Sequence, residues 1–129
     1  MDAQDQVISL EREALDQWAA GKPSNYLKHA HDDITYYDDI GAQSGLQGLE
    51  AVRSYATAAL DGNIPPHQYE MLNTHVQHYD NTGILTYQYQ PSGPDGQPLT
   101  LWRASVVYSR IDGNWKMVHA HWTMQKKSD

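Results

Sequence analysis

Two histidines near the end of the chain have the residue type and spacing of metal ligands. His119 and His121 lie two positions apart in the string WKMVHAHWTM, so an extended strand would point both rings to one side, with Cα atoms roughly 6.5 Å apart. Such a pair holds a metal ion only if a third ligand converges on it. The chain has no HExxH motif and no carboxylate cluster to complete the set. We therefore predict no metal and no other cofactor, and favour hydrogen bonding on an outer sheet face or at a subunit interface.

An arginine lies on the strand that would pair with these histidines. Arg103 and Ser105 face the two imidazole rings if the register follows from the turn that joins the strands. An arginine between apolar neighbours needs an anion. Two sources of that anion stay open: an Asp or Glu across a subunit boundary, or an acidic group on a ligand.

The large rings of the sequence all carry a polar group, because the chain has nine Tyr and four Trp but no Phe. A buried Tyr or Trp needs a hydrogen-bond partner for that group. Two interpretations follow: a core that happens to use Tyr and Trp, or a cavity lined with hydrogen-bonding rings. Trp18, Tyr87, Tyr89 and Trp122 are the candidates for a ring-walled site that binds an apolar or aromatic molecule.

The element that would position most of these residues is a hairpin near the C-terminus. Asp112-Gly113-Asn114 separates two apolar runs and predicts a tight turn. With a three-residue loop, Ile111 pairs with Trp115, Val107 faces His119 and Ser105 faces His121. The period of two then divides the side chains into two faces. The first face carries Ala104, Val106, Tyr108, Val118, Ala120, Trp122 and Met124, and the second carries Arg103, Ser105, Val107, Trp115, Met117, His119 and His121.

Both faces of this hairpin are largely apolar, so both must be covered. We expect helices on the first face and another subunit on the second. The stripe of Val7, Leu10, Ala14 and Trp18 predicts an amphipathic helix over residues 5–20. The other elements are predicted as helices at 24–31 and 49–60 and strands at 34–38, 69–79 with a bulge near 73–74, and 84–90. Helices followed by strands indicate one α+β domain, with helices on one side of a curved antiparallel sheet.

Charge and composition exclude several classes of protein. At a formal net charge of −7, the chain would be repelled by nucleic acid; its basic cluster, Lys126-Lys127, is a tail. The sequence has no cysteine, which excludes disulfides and thiolate chemistry. No apolar run approaches the ~20 residues of a membrane span, and the N-terminus lacks a signal-peptide core. We therefore expect a cytoplasmic protein without membrane contact.

Several local strings resemble the nuclear transport factor 2-like superfamily, above all its SnoaL-like branch, and also the association domain of calcium/calmodulin-dependent kinase. The strings are DITYYD at 33–38, GLEAVR at 48–53, NTHV at 73–76, RAS at 103–105 and DGNWKMVHAHWT at 112–123. The resemblance covers nearly the whole chain. It implies a cone-shaped fold, with a cavity between the N-terminal helices and the concave face of a strongly curved antiparallel sheet, and a homodimer formed through the outer face.

Mapped onto that fold, the candidate residues fall into two groups. The resemblance places the ligand pocket at Trp18, Tyr55, Leu85, Tyr87, Tyr89, Val106, Tyr108 and Trp122. It places the subunit interface at Arg103, Trp115, His119 and His121.

The resemblance also assigns a role to Asp38. In ketosteroid isomerases, which share this fold, the general base is an Asp at the end of the first strand, in a string that aligns with residues 37–41. Desolvation at the rim of an apolar cavity makes a carboxylate a better proton acceptor. Tyr36, Tyr87 or Tyr89 would hold the oxyanion. This implies a cofactor-free isomerase, cyclase or dehydratase acting on a compact apolar substrate, with Asp38 and Tyr36 as catalytic residues. Two alternatives remain: a non-catalytic assembly or ligand-binding domain, and Asp38 as a strand-end turn residue.

Overall fold

The computed structural model describes residues 2–125, so the predicted basic tail at Lys126 and Lys127 lies outside the described residues. Its elements are α1 (Ala3–Ala19), a 3₁₀ helix (Pro23–Leu27), β1 (Ala30–Tyr37), β2 (Leu46–Gln47), α2 (Leu49–Tyr55), a π-helical turn (Ala56–Leu60), β3 (Gln68–Tyr79), β4 (Thr82–Ser92), β5 (Trp102–Ile111) and β6 (Asn114–Met124). The predicted α+β class is confirmed. Within residues 2–125, no helix has the length and apolar character needed to cross a lipid bilayer.

The six strands form one curved sheet in the order β2-β1-β6-β5-β4-β3. Every neighbouring pair is antiparallel except β1 and β6, which run parallel. The sheet is therefore mixed, and the prediction of an antiparallel sheet is wrong for this pair. The reason is that β1 and β6 come from opposite ends of the chain, so no hairpin turn dictates their relative direction.

Helix α1 packs its apolar stripe against the concave face of the sheet. The Asp2 side chain accepts the Asp5 backbone N–H at 2.8 Å and caps the start of the helix. Val7, Ala14 and Leu15 are buried, whereas Trp18 is half-buried at one end. The predicted stripe is thus confirmed in its central part, and Trp18 is left at the open edge of the core.

The second predicted helix is shorter than expected. A 3₁₀ helix ends at Leu27, and β1 already begins at Ala30, so His31 lies in a strand rather than in a helix. The cause is the neighbouring strand β6, because the Met117 backbone N–H donates to the His29 carbonyl at 2.7 Å. Pairing with β6 extends β1 well before the predicted start at Ile34.

The terminal hairpin has a tighter turn than predicted. Asp112 and Gly113 alone form it, with φ of 52° and 82°, which is the geometry of a two-residue hairpin turn. Arg110 pairs with Trp115, so the predicted pairing of Ile111 with Trp115 is wrong. A register shift between Val107 and Tyr108 then restores the predicted partners from Val107 onwards, including Val107 with His119 and Ser105 with His121.

This turn and bulge reverse the orientation of the first part of β6. Trp115 and Met117 are buried on the inner face, with 8% and 0% of their surface exposed, and the Trp115 indole N–H donates to Gln6 Oε1 at 2.9 Å. Their predicted placement on the outer face is wrong. A bulge in β6 adds one residue, which moves every side chain before it to the opposite face.

A second bulge bends β3. The register against β4 shifts between Leu72 and His75, and Asn73 has a φ of 51°, which confirms the predicted bulge near 73–74. Bulges increase the local twist of a strand. Here they help the sheet curve around α1 and leave an open end beside Trp18.

Candidate functional site

A cavity of about 530 Å³ lies at the open end of the sheet. Most of its wall is apolar. Its lining consists of Trp18, Tyr36, Asp38, Ile40, Ile64, Pro65, Pro66, His67, Tyr89, Pro91, Gly93, Pro94, Leu99, Thr100, Trp102, Trp122 and Met124. Its volume lies within the range of small-molecule sites, which are mostly apolar with a few polar groups.

The rim of this cavity is apolar and exposed to solvent. Ile40, Leu99 and Met124 are 41%, 52% and 40% exposed, and all three belong to the lining. Exposed apolar side chains that gather around one concavity mark a binding surface more often than single scattered ones do.

The back of the cavity is built from packed rings. The ring of Trp122 lies parallel to that of Trp18, with centroids 6.2 Å apart and planes 4° from parallel. The Trp122 ring also meets Tyr89 edge-on at 5.6 Å. Tyr69 stacks on Tyr89, with ring centroids 5.0 Å apart. These contacts fix the rings in place and give the cavity a rigid wall.

Asp38 lies in the cavity wall, but its carboxylate already accepts hydrogen bonds at both oxygens. The backbone N–H groups of residues 40–42 donate to Oδ1 at 2.9–3.0 Å. Tyr36 donates to Oδ2 at 2.9 Å, and Tyr55 donates to Oδ2 at 2.8 Å. The side chain is only 2% exposed. Asp38 therefore anchors the loop that follows β1, which is the turn role weighed as the alternative to a base.

The two tyrosines bound to Asp38 are held in their protonated form. Burial is the main cause of the raised pKa of both Tyr36 and Tyr55, and the hydrogen bond to Asp38 and its negative charge add to it. Tyr55 does not line the cavity; its ring lies 6.1 Å from that of Tyr36 and its hydroxyl donates to Asp38, and both of these residues belong to the wall.

The structure adds His67, which sequence reasoning missed. Its Nδ1 lies 2.8 Å from the Pro65 carbonyl oxygen, and its Nε2 lies 2.5 Å from the Tyr89 hydroxyl. A carbonyl accepts only, so Nδ1 carries the proton of the neutral ring and Nε2 accepts from Tyr89. Burial raises the pKa of Tyr89. The signal in the sequence was a histidine directly after two prolines, at the start of a strand.

Beneath the ring wall lies a second residue that sequence reasoning missed. Glu11 is 0% exposed and accepts hydrogen bonds from Tyr26 at 2.6 Å, Tyr87 at 2.5 Å and Tyr108 at 2.8 Å. Burial raises the pKa of Glu11, and the three tyrosine hydrogen bonds oppose that rise. The available signal was its place four residues after Val7, within the apolar stripe of α1.

The predicted pocket residues therefore divide into two groups. Trp18, Tyr89 and Trp122 line the cavity. The other predicted residues do not reach it: Tyr87 and Tyr108 turn to Glu11, and Leu85 and Val106 are fully buried in the core. The placement of these four in the pocket is wrong because α1 fills that part of the concave face.

The predicted interface residues other than Trp115 lie on the outer face. Thr35 Oγ1 and His119 Nδ1 are hydrogen-bonded at 2.7 Å, and the Tyr37 ring lies 5.2 Å from that of His121. Burial lowers the pKa of His119, and His121 contributes to the same shift. Arg103 is exposed. Within residues 2–125, no three His, Asp or Glu side chains gather in a metal-ligand arrangement.

Comparison with known proteins supports the fold seen here. The family model of the SnoaL-like domain matches residues 7–125. The chain belongs to the SnoaL-like family. No curated protein matches it. The resemblance to SnoaL-like and nuclear transport factor 2-like proteins that the sequence strings indicated is confirmed.

Three solved structures similar to this SnoaL-like protein illustrate two kinds of name. A candidate ketosteroid isomerase from Parabacteroides distasonis is 27% identical, with 97% of this chain and 89% of that one covered and a TM-score of 0.82. The CaMKII hub homology domain from Chlamydamonas reinhardtii is 23% identical, with 98% and 100% covered and a TM-score of 0.78. The association domain of C. elegans CaMKII is 21% identical, with 92% and 93% covered and a TM-score of 0.71. One fold thus hosts different functions, so the function must be argued from the site.

Proposed function

We propose that this SnoaL-like protein binds a compact, largely apolar molecule in the ring-lined cavity. The observation that carries the proposal is a cavity of about 530 Å³ with rigid aromatic walls and an exposed apolar rim. Moving apolar ligand surface from water into such a site is favourable by roughly 25 cal/mol per Å². The rim residues then lose contact with water at the same time.

The charges around the cavity favour a ligand without an acidic group. Among the described residues that line it, none is Lys or Arg. A bound carboxylate would therefore lose its hydration without gaining a strong counter-ion, which is costly in an apolar site. A neutral molecule incurs no such penalty.

The test uses 2-naphthol as the probe and isothermal titration calorimetry as the measurement. Leu99→Arg puts a charge on the cavity rim at a side chain that is 52% exposed, so the fold should tolerate it. We expect about tenfold weaker binding, equivalent to about 1.4 kcal/mol. The matched control is Tyr79→Arg, an exposed ring outside the cavity lining, which should bind like the wild type. Absence of saturable binding, or equal binding by Leu99→Arg, would contradict the proposal.

A catalytic use of the same cavity is the second candidate. Asp38 and Tyr36 both lie in its wall, and one structural neighbour is named as a candidate ketosteroid isomerase. In an isomerase, cyclase or dehydratase reaction, Asp38 would take the proton from the substrate. Five protein donors already occupy the Asp38 oxygens, which is why ligand binding is the function that the geometry supports best.

Self-assembly is compatible with ligand binding, because it uses the opposite face of the sheet. The outer face carries Arg103, Val107, His119 and His121, and the Tyr37 ring beside them is 38% exposed. Two of the similar structures are named as hub or association domains. We propose that two copies pair through this face, as the sequence analysis expected.

A further inference from the structure

Both tyrosines that line the cavity already donate their hydroxyl protons to neighbouring side chains. Tyr36 donates to Asp38 Oδ2 at 2.9 Å. Tyr89 donates to His67 Nε2 at 2.5 Å, because the Pro65 carbonyl requires the ring proton on Nδ1. Each hydroxyl has one proton and two acceptor lone pairs. What remains available to a ligand at Tyr36 and Tyr89 is therefore an acceptor.

Asp38, the third polar group nearby, offers the ligand no hydrogen-bond donor either, because its two oxygens accept from five protein donors. Other donors remain in the lining, on indole rings and on Thr100. The two hydroxyl groups that hydrogen bonds hold in fixed positions, however, both present lone pairs. This is the reverse of an oxyanion site, in which preorganised donors face the developing negative charge.

We propose that the cavity selects molecules whose polar group is a hydrogen-bond donor, such as a hydroxyl on an apolar ring system, and that the Tyr89–His67 pair is the acceptor that recognises it. The inference rests on the proposed function, because it names the class of ligand for the same cavity. A ligand with only an ether or carbonyl oxygen would force Tyr89 to turn its proton away from His67. Nε2 would then lose its donor, and the ligand would gain one hydrogen bond at the cost of another.

The experiment compares two probes that share one apolar body. 2-Naphthol can donate a hydrogen bond, whereas 2-methoxynaphthalene has the same oxygen without the proton. Binding of each to the full chain is measured by isothermal titration calorimetry at about pH 8, where an ordinary imidazole is neutral. We expect 2-naphthol to bind about tenfold more tightly, which is the usual worth of one net hydrogen bond.

Two variants assign that preference to the pair. The double variant Tyr89→Phe/His67→Leu keeps the ring and removes both acceptors of the pair, so it should abolish the preference. His67→Leu frees the Tyr89 proton, so 2-methoxynaphthalene should bind more tightly than it does to the wild type. The matched control is Tyr69→Phe, because the Tyr69 ring stacks on Tyr89 but its hydroxyl donates to Asp16 at 2.6 Å, outside the cavity. This control should keep the full preference.

The outcomes separate the two proposals. Equal binding of both probes to the wild type, or tighter binding of 2-methoxynaphthalene, overturns the donor selectivity and leaves ligand binding standing. A preference that survives in the Tyr89→Phe/His67→Leu double variant overturns the assignment to the Tyr89–His67 pair. No binding of either probe contradicts the proposed function, and the selectivity falls with it. Circular dichroism of each variant verifies that the protein is folded.

Discussion

Asp38 shows how the same residue type can serve a reaction or a loop. As a base, it would need a free oxygen that faces a substrate. As a loop anchor, it needs donors on both oxygens, and the structure supplies three backbone N–H groups and two tyrosines. The two roles can therefore be distinguished by the free energy of unfolding, because removing a loop anchor destabilises the fold, whereas removing a base lowers turnover.

We predict that Asp38→Asn lowers the free energy of unfolding by about 1–3 kcal/mol. The substitution replaces one carboxylate oxygen, which accepts hydrogen bonds, by an amide NH₂ group that would meet hydrogen-bond donors. Urea denaturation measures the change. The matched control is Asp39→Asn, because the Asp39 side chain accepts the Met124 backbone N–H, at 2.8 Å, and an amide oxygen can replace that acceptor. If Asp38→Asn were as stable as the wild type but lost turnover of a substrate, the catalytic role would be favoured instead.

Glu11 is the residue that should shape the pH dependence of stability. Burial raises the pKa of Glu11 in the folded state above the ordinary value of 4.5. Between pH 4.5 and this raised pKa, Glu11 is protonated in the folded chain more often than in the unfolded chain, so the folded chain binds more protons. The contribution of Glu11 to the free energy of unfolding is therefore full below pH 4.5, and it is lost as the pH rises through the pKa of Glu11 in the folded state.

We expect Glu11→Gln to remove that part of the pH dependence, because the amide does not titrate. The measurement is the urea midpoint at a series of pH values from about 4 upwards. Glu50→Gln serves as the control, since it removes the same charge from an exposed position on α2, and it should keep the wild-type slope. The same slope in Glu11→Gln and the wild type would refute the assignment.

At the scale of elements, the turn between β5 and β6 decides which side chains of β6 face inwards. Its two residues both have positive φ, which favours glycine at the second position. The sequence predicted the hairpin from Asp-Gly but allotted it one residue too many. Trp115 and Met117 were therefore assigned to the outer face.

We predict that Gly113→Ala destabilises the fold by about 1–2 kcal/mol through backbone strain alone. A Cβ at Gly113 would meet no atom within 4 Å, but its φ is +82°, so the cost cannot come from a clash. Thermal or urea denaturation measures it. Asn114→Ala, at the next position, is the control and should change stability by less. An unchanged stability in Gly113→Ala would mean that the turn adopts another geometry.

At the scale of the whole molecule, the two faces of the sheet are expected to do different work. The concave face holds the core and the cavity, whereas the outer face carries the half-buried side chains of Val107 and His119 and the exposed ring of Tyr37. A dimer formed through the outer face would leave the cavity open to ligand.

We expect the wild type to have the mass of two chains in light scattering, and Val107→Lys to have the mass of one, because an unpaired ammonium would be buried between the copies. Asp95→Lys, in the exposed loop before β5, is the control and should stay dimeric. A wild-type protein with the mass of a single chain, or a Val107→Lys variant with the mass of two, would contradict the outer-face dimer.

Much of the architecture follows from local patterns in the chain. The stripe of Val7 and Ala14 predicted helix α1, and Asp-Gly predicted the last hairpin, because each signal depends on residues only a few positions apart. Family strings added the curvature and the cavity. These signals were enough for the α+β class and for placing Trp18, Tyr89 and Trp122 at one site.

The chemistry of the cavity wall depended on contacts between distant residues, which no local pattern contains. His67 meets Tyr89 from the segment before β3, Glu11 meets tyrosines from three other elements, and Tyr55 reaches Asp38 from α2. Residue types indicated which side chains can donate or accept. Only the folded chain decides which partner takes each proton, because hydrogen bonds reach about 3 Å and that proximity is set by packing.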